Sequence, residues 1–331
     1  LGSEHADVVA SLNNVSVFLE KKGQYRESET LNRQALATAQ TVLGGRHPDV
    51  ADTMVNLAAL LKAMGTLAEA ESLYRDALSI FQETQGKDHS SVAIAMNNLA
   101  ALLEAKGEFP QAKSLYQEAI DLRRRLYGND HPSVATTLQN LGALQHLMGY
   151  LGAGERNIRE ALQTWQKRYG DKHPNVAIAK RRLADLLAAK GRDAEAEALY
   201  RDVLDLQRSL QGGEHPSVAR TMSQLGRLLR ERGDHGGAAS LHRQAHDILS
   251  KSLGARHPDV AVALNNLAAT EIDQGHLADA ESLLRQALEI GRSAHPEHPT
   301  VAFSLTLLAE VLERRGALPD AEAALREALG M

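Results

Sequence analysis

A histidine recurs through this chain on a fixed ruler. His5, His47, His89, His131, His173, His215 and His257 stand 42 residues apart, and His298 follows after 41. A glycine keeps the same beat at Gly23, Gly65, Gly107, Gly149, Gly191, Gly233, Gly275 and Gly316. Self-similarity of this kind decides the fold before any local pattern does, because each unit is too small to bury its own apolar face and stacks on its neighbours. Length alone would suggest about two globular domains. The repeat argues instead for one elongated domain over residues 1–331, divided approximately at 5–46, 47–88, 89–130, 131–172, 173–214, 215–256, 257–297 and 298–331.

One unit, Gly44 to Gln85, shows what the period encodes. Pro48 suits the first turn of a helix, where its missing N–H has no partner to lose. Val50, Met54, Leu57, Leu60 and Leu61 follow at helical spacing. Gly65 stops this helix, and a second is predicted from about Leu67 to about Gln85, with Ala70, Leu73, Tyr74, Ala77, Leu78 and Phe81 on one face. Gly86 is expected to end it as a left-handed cap. Gly44, Gly128, Gly170, Gly212 and Gly254 hold the same place; the corresponding turn before the eighth repeat carries His295-Pro296 instead and is expected to be irregular. Two columns are small: Ala58, Ala100, Gly142, Ala184, Gly226, Ala268 and Ala309 in the first helix, and Ala70, Ala112, Gly154, Ala196, Ala238, Ala280 and Ala321 in the second. Small side chains let two helices cross closely, so the unit reads as a helix–turn–helix.

Leu57-Ala58, Gly65, Ala70, Tyr74 and Ala77 together resemble the tetratricopeptide repeat. The 42-residue length and the phrase HPDVA…LNNLA…G…AE.L…AL are similar, more narrowly, to the repeats of kinesin light chain and its relatives. The resemblance covers essentially the whole chain and implies an all-α, right-handed superhelical solenoid of eight helix–turn–helix repeats. Nothing in the sequence resembles the heptad segment by which a kinesin light chain joins its heavy chain.

The recurrent histidine sits in a turn beside proline, far from its copies, and is expected to pack or cap the next helix. An asparagine precedes the Leu-Ala pair at Asn14, Asn56, Asn98, Asn140 and Asn266. Asparagine is only a modest helix former. Flanked by core residues, it should face the inner, concave surface, where its amide offers both donor and acceptor. It could tie repeats together or hold the backbone of an extended peptide, and the family resemblance implies the second. The ladder breaks at Arg182, Gln224 and Leu307. Around the first two breaks, Arg181, Arg182, Arg220, Arg227 and Arg230 gather on the same face by helical spacing. The patch reads either as a solvated charged face, with Asp185 pairing one arginine, or as a site for an acidic segment or terminal carboxylate, which a guanidinium matches in bidentate fashion. Arg182, Arg220 and Arg227 are expected to converge, with no stability reason for holding like charges together.

Weaker departures are expected to be structural. Lys180 replaces an apolar residue and must snorkel or pair. His242 takes the place of Tyr74, Tyr116 and Tyr200 and is expected in the core, although His246 one turn on gives a spacing that could hold a metal. Gln145 and Glu271 replace a leucine and are expected to mark looser packing, and Trp165 is expected to pack.

The rest bounds the function. Net charge is -5, so there is no bulk basic footprint for nucleic acid. No apolar run reaches membrane length, and no secretory signal opens the chain. Cysteine is absent, which excludes thiol catalysis. No phosphate loop, serine elbow or metalloprotease helix is present. The chain is therefore read as a cytoplasmic, non-enzymatic scaffold without cofactor or metal, binding an acidic or carboxylate-bearing peptide as a monomer. Two further readings stay open. One is a regulatory module of a larger ATPase or protease, since LGSEHADV starts in phase with LGARHPDV and the chain looks like a piece of a longer protein. The other is end-to-end self-assembly, since the last helix shows no polar cap.

Overall fold

The structure, a computed structural model, describes residues 6–294 and 298–331; the phase marker His5 and the His295-Pro296 junction lie outside them. Sixteen helices and no strand occur among the described residues: α1 (Ala6–Lys21), α2 (Tyr25–Leu43), α3 (Pro48–Met64), α4 (Leu67–Gln85), α5 (Ser90–Ala105), α6 (Phe109–Tyr127), α7 (Pro132–Leu147), α8 (Leu151–Tyr169), α9 (Pro174–Ala189), α10 (Asp193–Gln211), α11 (Pro216–Glu231), α12 (His235–Leu253), α13 (Pro258–Asp273), α14 (Leu277–Ala294), α15 (Pro299–Arg314) and α16 (Leu318–Leu329). The bounds predicted for the second repeat, Pro48 to Gly65 and Leu67 to Gln85, match α3 and α4. The chain forms two compact units, Leu1–Ala189 and Lys190–Met331, and the division falls between the two helices of the fifth repeat.

Within each unit every odd helix packs on its own even partner, and that partner packs on the next odd helix. Successive odd helices also touch, as α3 does α5 and α11 does α13. The odd helices therefore line the inner side of each stack.

The histidines start the odd helices. The Nδ1 atoms of His47, His89, His131, His173, His215, His257 and His298 each accept a bond from the backbone N–H two residues on, at 3.1–3.2 Å. This satisfies one of the orphan donors at a helix start, so the recurrent histidine is a cap. Glycines end the helices in two ways. Gly65 adopts φ 85, ψ 0, the left-handed cap. Gly86 does not: at φ 87, ψ 159 it occupies a region open in practice to glycine alone.

The small columns are buried where the paired helices cross. A Cβ on Gly142 would come within 2.6 Å of Ile158 Cγ1 and 3.0 Å of the Gly154 carbonyl oxygen. One on Gly226 would come within 2.7 Å of the His242 ring. His242 is buried in the core, as expected, and its lost tyrosine volume is met by the closer backbone at Gly226.

The odd leucine replacements are not loosely packed. Gln145 is buried and accepts a 2.8 Å bond from Asn157 Nδ2, itself a replacement for the leucine of neighbouring repeats. Glu271 is buried between Arg243 at 2.6 Å and His276 at 2.8 Å. Each polar intruder has brought its own partner, as burial demands. Trp165 is buried and stacks toward Tyr169 and His173.

Candidate functional site

In the first unit, Asn14 and Asn56 are exposed on α1 and α3, while Asn98 and Asn140 are half-buried on α5 and α7. Asn140 Nδ2 donates to Asn97 Oδ1 at 3.2 Å, and Asn97 Nδ2 donates to Asn98 Oδ1 at 3.3 Å. Arg182 on α9 continues this chain. Its guanidinium donates to the Gln139 carbonyl at 3.1 Å and to Asn140 Oδ1 at 3.4 Å, and its Nε is buried without a partner. Burial holds the Arg182 pKa below its ordinary value, and Arg181 adds to that lowering. Asn140 thereby ties α7 to α5, and Arg182 ties α9 to α7. Arg181 pairs with Asp185 at 3.4 Å. Lys180 is half-buried and partnered.

In the second unit, Arg220 on α11 pairs with Asp259 on α13 at 2.7 Å. Arg227 donates to Gln224 Oε1 at 3.2 Å and lies 3.4 Å from Glu231. Arg230 lies 3.6 Å from Asp273. Asn266 is half-buried on α13. The expected convergence of Arg182 with Arg220 and Arg227 involves residues of different units and stays an expectation. Within the units, Arg181, Arg220, Arg227 and Arg230 each face a carboxylate. The like charges that the sequence left uncompensated are countered by acids from the same helix or the next odd one.

Two features of the odd helices escaped the sequence reading. One is a charge series at a single column: Glu20, Lys62 and Glu104. Tyr116 Oη donates to Glu104 Oε2 at 3.1 Å. Burial raises the Glu104 carboxyl above the usual carboxylate range, opposed by Tyr116, Lys62 and Arg182. Burial likewise lowers the Lys62 ammonium, opposed by Glu104. The alternating signs at repeat spacing were the available signal. The other is apolar. One turn before the asparagine column, Ile94 is 47% exposed and Ile178 37% in the first unit, and Val262 is 44% and Phe303 51% exposed in the second. Their neighbours on the same helices, such as Val92, Ala93, Ala177, Ala261 and Val301, are buried.

No cluster of three or more His, Asp or Glu that could hold a metal occurs among the described residues. His246 instead lies 3.3 Å from Ser250 and 3.2 Å from Asp247. No described helix is long and apolar enough to cross a membrane.

The family model described as tetratricopeptide repeat matches residues 7–83, 49–124, 91–152, 151–209, 178–251, 237–293 and 259–331. This chain belongs to the tetratricopeptide repeat family. No curated protein matches it. Among solved structures, the repeat protein is similar to BtubC (BKLC) from P. vanneervenii, with 23% identity and a TM-score of 0.53 over 71% of this chain and 92% of that one. A kinesin light chain protein of Podosopora anserina with nearly identical TPR-like repeats has 23% identity and a TM-score of 0.50 over 62% and 98%. A Rap protein complexed with Competence and Sporulation Factor has 14% identity and a TM-score of 0.63 over 98% and 91%. At these identities the likeness is one of fold, an all-α stack of helical pairs.

Proposed function

We propose that this tetratricopeptide repeat protein is a binding scaffold that holds an extended protein segment against the inner faces of its odd helices. The observation that carries the reading is the exposed apolar column, Ile94 and Ile178 in one unit and Val262 and Phe303 in the other. Large apolar side chains spaced along one column, with Thr136 and Arg220 between them, offer a ligand burial beside half-buried amides that can supply backbone hydrogen bonds. The Rap protein with its bound factor supports binding rather than catalysis as the use of such a stack.

The finer reading is that the segment is acidic or ends in a free carboxylate. Arg220 and Arg227 are engaged in exposed ion pairs. Such pairs contribute only about 0–1 kcal/mol, so a ligand carboxylate can exchange with Asp259 or Glu231 at little cost. A peptide library selected on the chain tests both levels. Enriched sequences should be apolar at alternating positions, and Ile94→Glu or Phe303→Glu should abolish their binding. Arg220→Glu should abolish binding of the acidic ones alone, and their affinity should fall between about 0.05 and 0.5 M salt as charges are screened. Binding that survives the Ile94 and Phe303 changes would end the inner-face reading.

A further inference from the structure

Three repeat junctions share an ion network at the turn between the odd and even helices. Glu71 is held by Arg75 at 2.6 Å on its own helix and by Lys106 at 2.5 Å from the turn of the next repeat. Glu197 is held in the same way by Arg201 at 2.7 Å and by Arg232, and Glu281 by Arg285 at 2.7 Å and by Arg315. The junction between the third and fourth repeats has neither partner. Lys113 stands in the glutamate column and Met148 in the cation column. The paired change removes the network, and the Lys113 ammonium lies instead toward the Tyr150 ring.

The rim left by that change is apolar and basic. Leu147, at the end of α7, is 60% exposed, where other repeats carry Ala63, Ala105 or Ala189. Tyr150, which opens α8, is 52% exposed, where others carry Thr66, Glu108 or Asp234. Lys113 Nζ lies 5.2 Å from the centroid of the Tyr150 ring. Arg156 follows on α8, with its Nη1 reaching back to 3.9 Å from the Cβ position of Gly152. Neither Lys113 nor Arg156 has a carboxylate partner among the described residues, whereas most arginines of this chain do. Loss of the network alone does not generate such a surface. The junction bearing Ala239 and Gln274 also lacks it, and its turn carries Asp273 and His276 rather than large apolar groups.

We propose that the α7–α8 turn is a second docking surface, for an acidic amphipathic protein segment. An apolar side chain of the partner seats on Leu147 and Tyr150, and carboxylates beside it meet Lys113 and Arg156. The sign of the partner follows from the two cations left without internal acids, and its protein nature from the pairing of an aromatic and an aliphatic anchor within one short turn. The surface lies two helical turns beyond Asn140 and stands independently of the inner apolar column.

A fluorescent peptide with two leucines at helical spacing among glutamates is the probe, read by anisotropy. It should bind the 331-residue chain. Leu147→Ala with Tyr150→Thr uses residues that other repeats already carry at these places, so the fold is kept. This variant should weaken binding by about tenfold or more. Lys113→Glu with Arg156→Glu should abolish the salt dependence along with most of the affinity, and Ile94→Glu should change neither. Absence of binding, equal binding by the Leu147/Tyr150 variant, or equal binding of the same peptide with lysines for glutamates would overturn the proposal. So would co-sedimentation with phosphatidylserine vesicles that requires Leu147 and Tyr150 while the peptide fails to bind.

Discussion

Two junctions of the first unit fill the same slot in opposite ways. Where α4 meets α5, Phe81 is buried in an apolar cluster that includes Ala95. Where α6 meets α7, the same two columns hold Arg123 and Thr137. The buried guanidinium donates to Thr137 Oγ1 at 2.5 Å and to the Ser133 carbonyl at 2.7 Å. In the second unit Gln207 Oε1 accepts from Thr221 at 2.9 Å in the equivalent place. Ring against methyl, or polar group against hydroxyl: the partners change together because a buried polar group without a partner costs about 1–3 kcal/mol. The comparison teaches that a long polar group in this slot comes with a hydroxyl to meet it, whereas a hydroxyl alone, as Thr53 opposite Ala39, is satisfied by the Asp49 carbonyl of its own helix.

The strongest way to break this comparison is Phe81→Arg with Ala95 kept. It buries a charge without its hydroxyl, and denaturant unfolding should show a loss of about 3–5 kcal/mol. Adding Ala95→Thr should recover about 1–2 kcal/mol, read as coupling in the double-mutant cycle; zero coupling would show that the two columns vary independently. The converse, Arg123→Leu with Thr137→Ala, should be within about 1 kcal/mol of the parent or more stable, since well-packed apolar groups replace buried polar ones at little loss.

His242 sharpens the comparison from another side, because its buried Nδ1 has no partner at all. Burial pulls its pKa from 6.5 down to about 4. The folded chain then binds this proton less readily than the unfolded one. The stability associated with neutral His242 is complete above pH 6.5 and lost as pH falls toward 4, by up to about 3 kcal/mol. His242→Leu with Gly226→Ala, the pair that Leu284 and Ala268 form in the next repeat, should flatten the melting temperature across that window. An unchanged slope would mean that His242 does not carry it.

A smaller effect is expected at the caps. His47→Ala removes one bond to the Asp49 N–H and should cost about 1 kcal/mol. His47→Asn should restore much of it, since asparagine caps by the same means. A loss unchanged by asparagine would point to ring packing instead.

Much of this was legible in the residues. The start of α3 at Pro48 followed from proline chemistry, and the crossing columns followed from runs of Ala and Gly. Gly142 and Gly226 were legible as small, though not as the places where Ile158 and His242 demand more room. The asparagine column was legible from its place before each Leu-Ala pair, yet the tie from Asn140 to Asn97 was not, because Asn97 belongs to a neighbouring column that the ladder did not include. Gln145 was read as a packing fault because its compensating change, Asn157, lies on the other helix of the pair.

By itself the sequence determined the period, the helix ends and the buried face, because each rests on contacts within a few residues or on a column that repeats unchanged. Tertiary structure alone decided which charges are satisfied from one repeat to the next. Arg220 finds Asp259 39 residues on, and Arg182 finds the Gln139 carbonyl 43 residues back. Neither offset equals the repeat length. A long side chain reaches its partner through the local tilt between adjacent helices, and that tilt is set by packing of the whole junction rather than by any residue in the column.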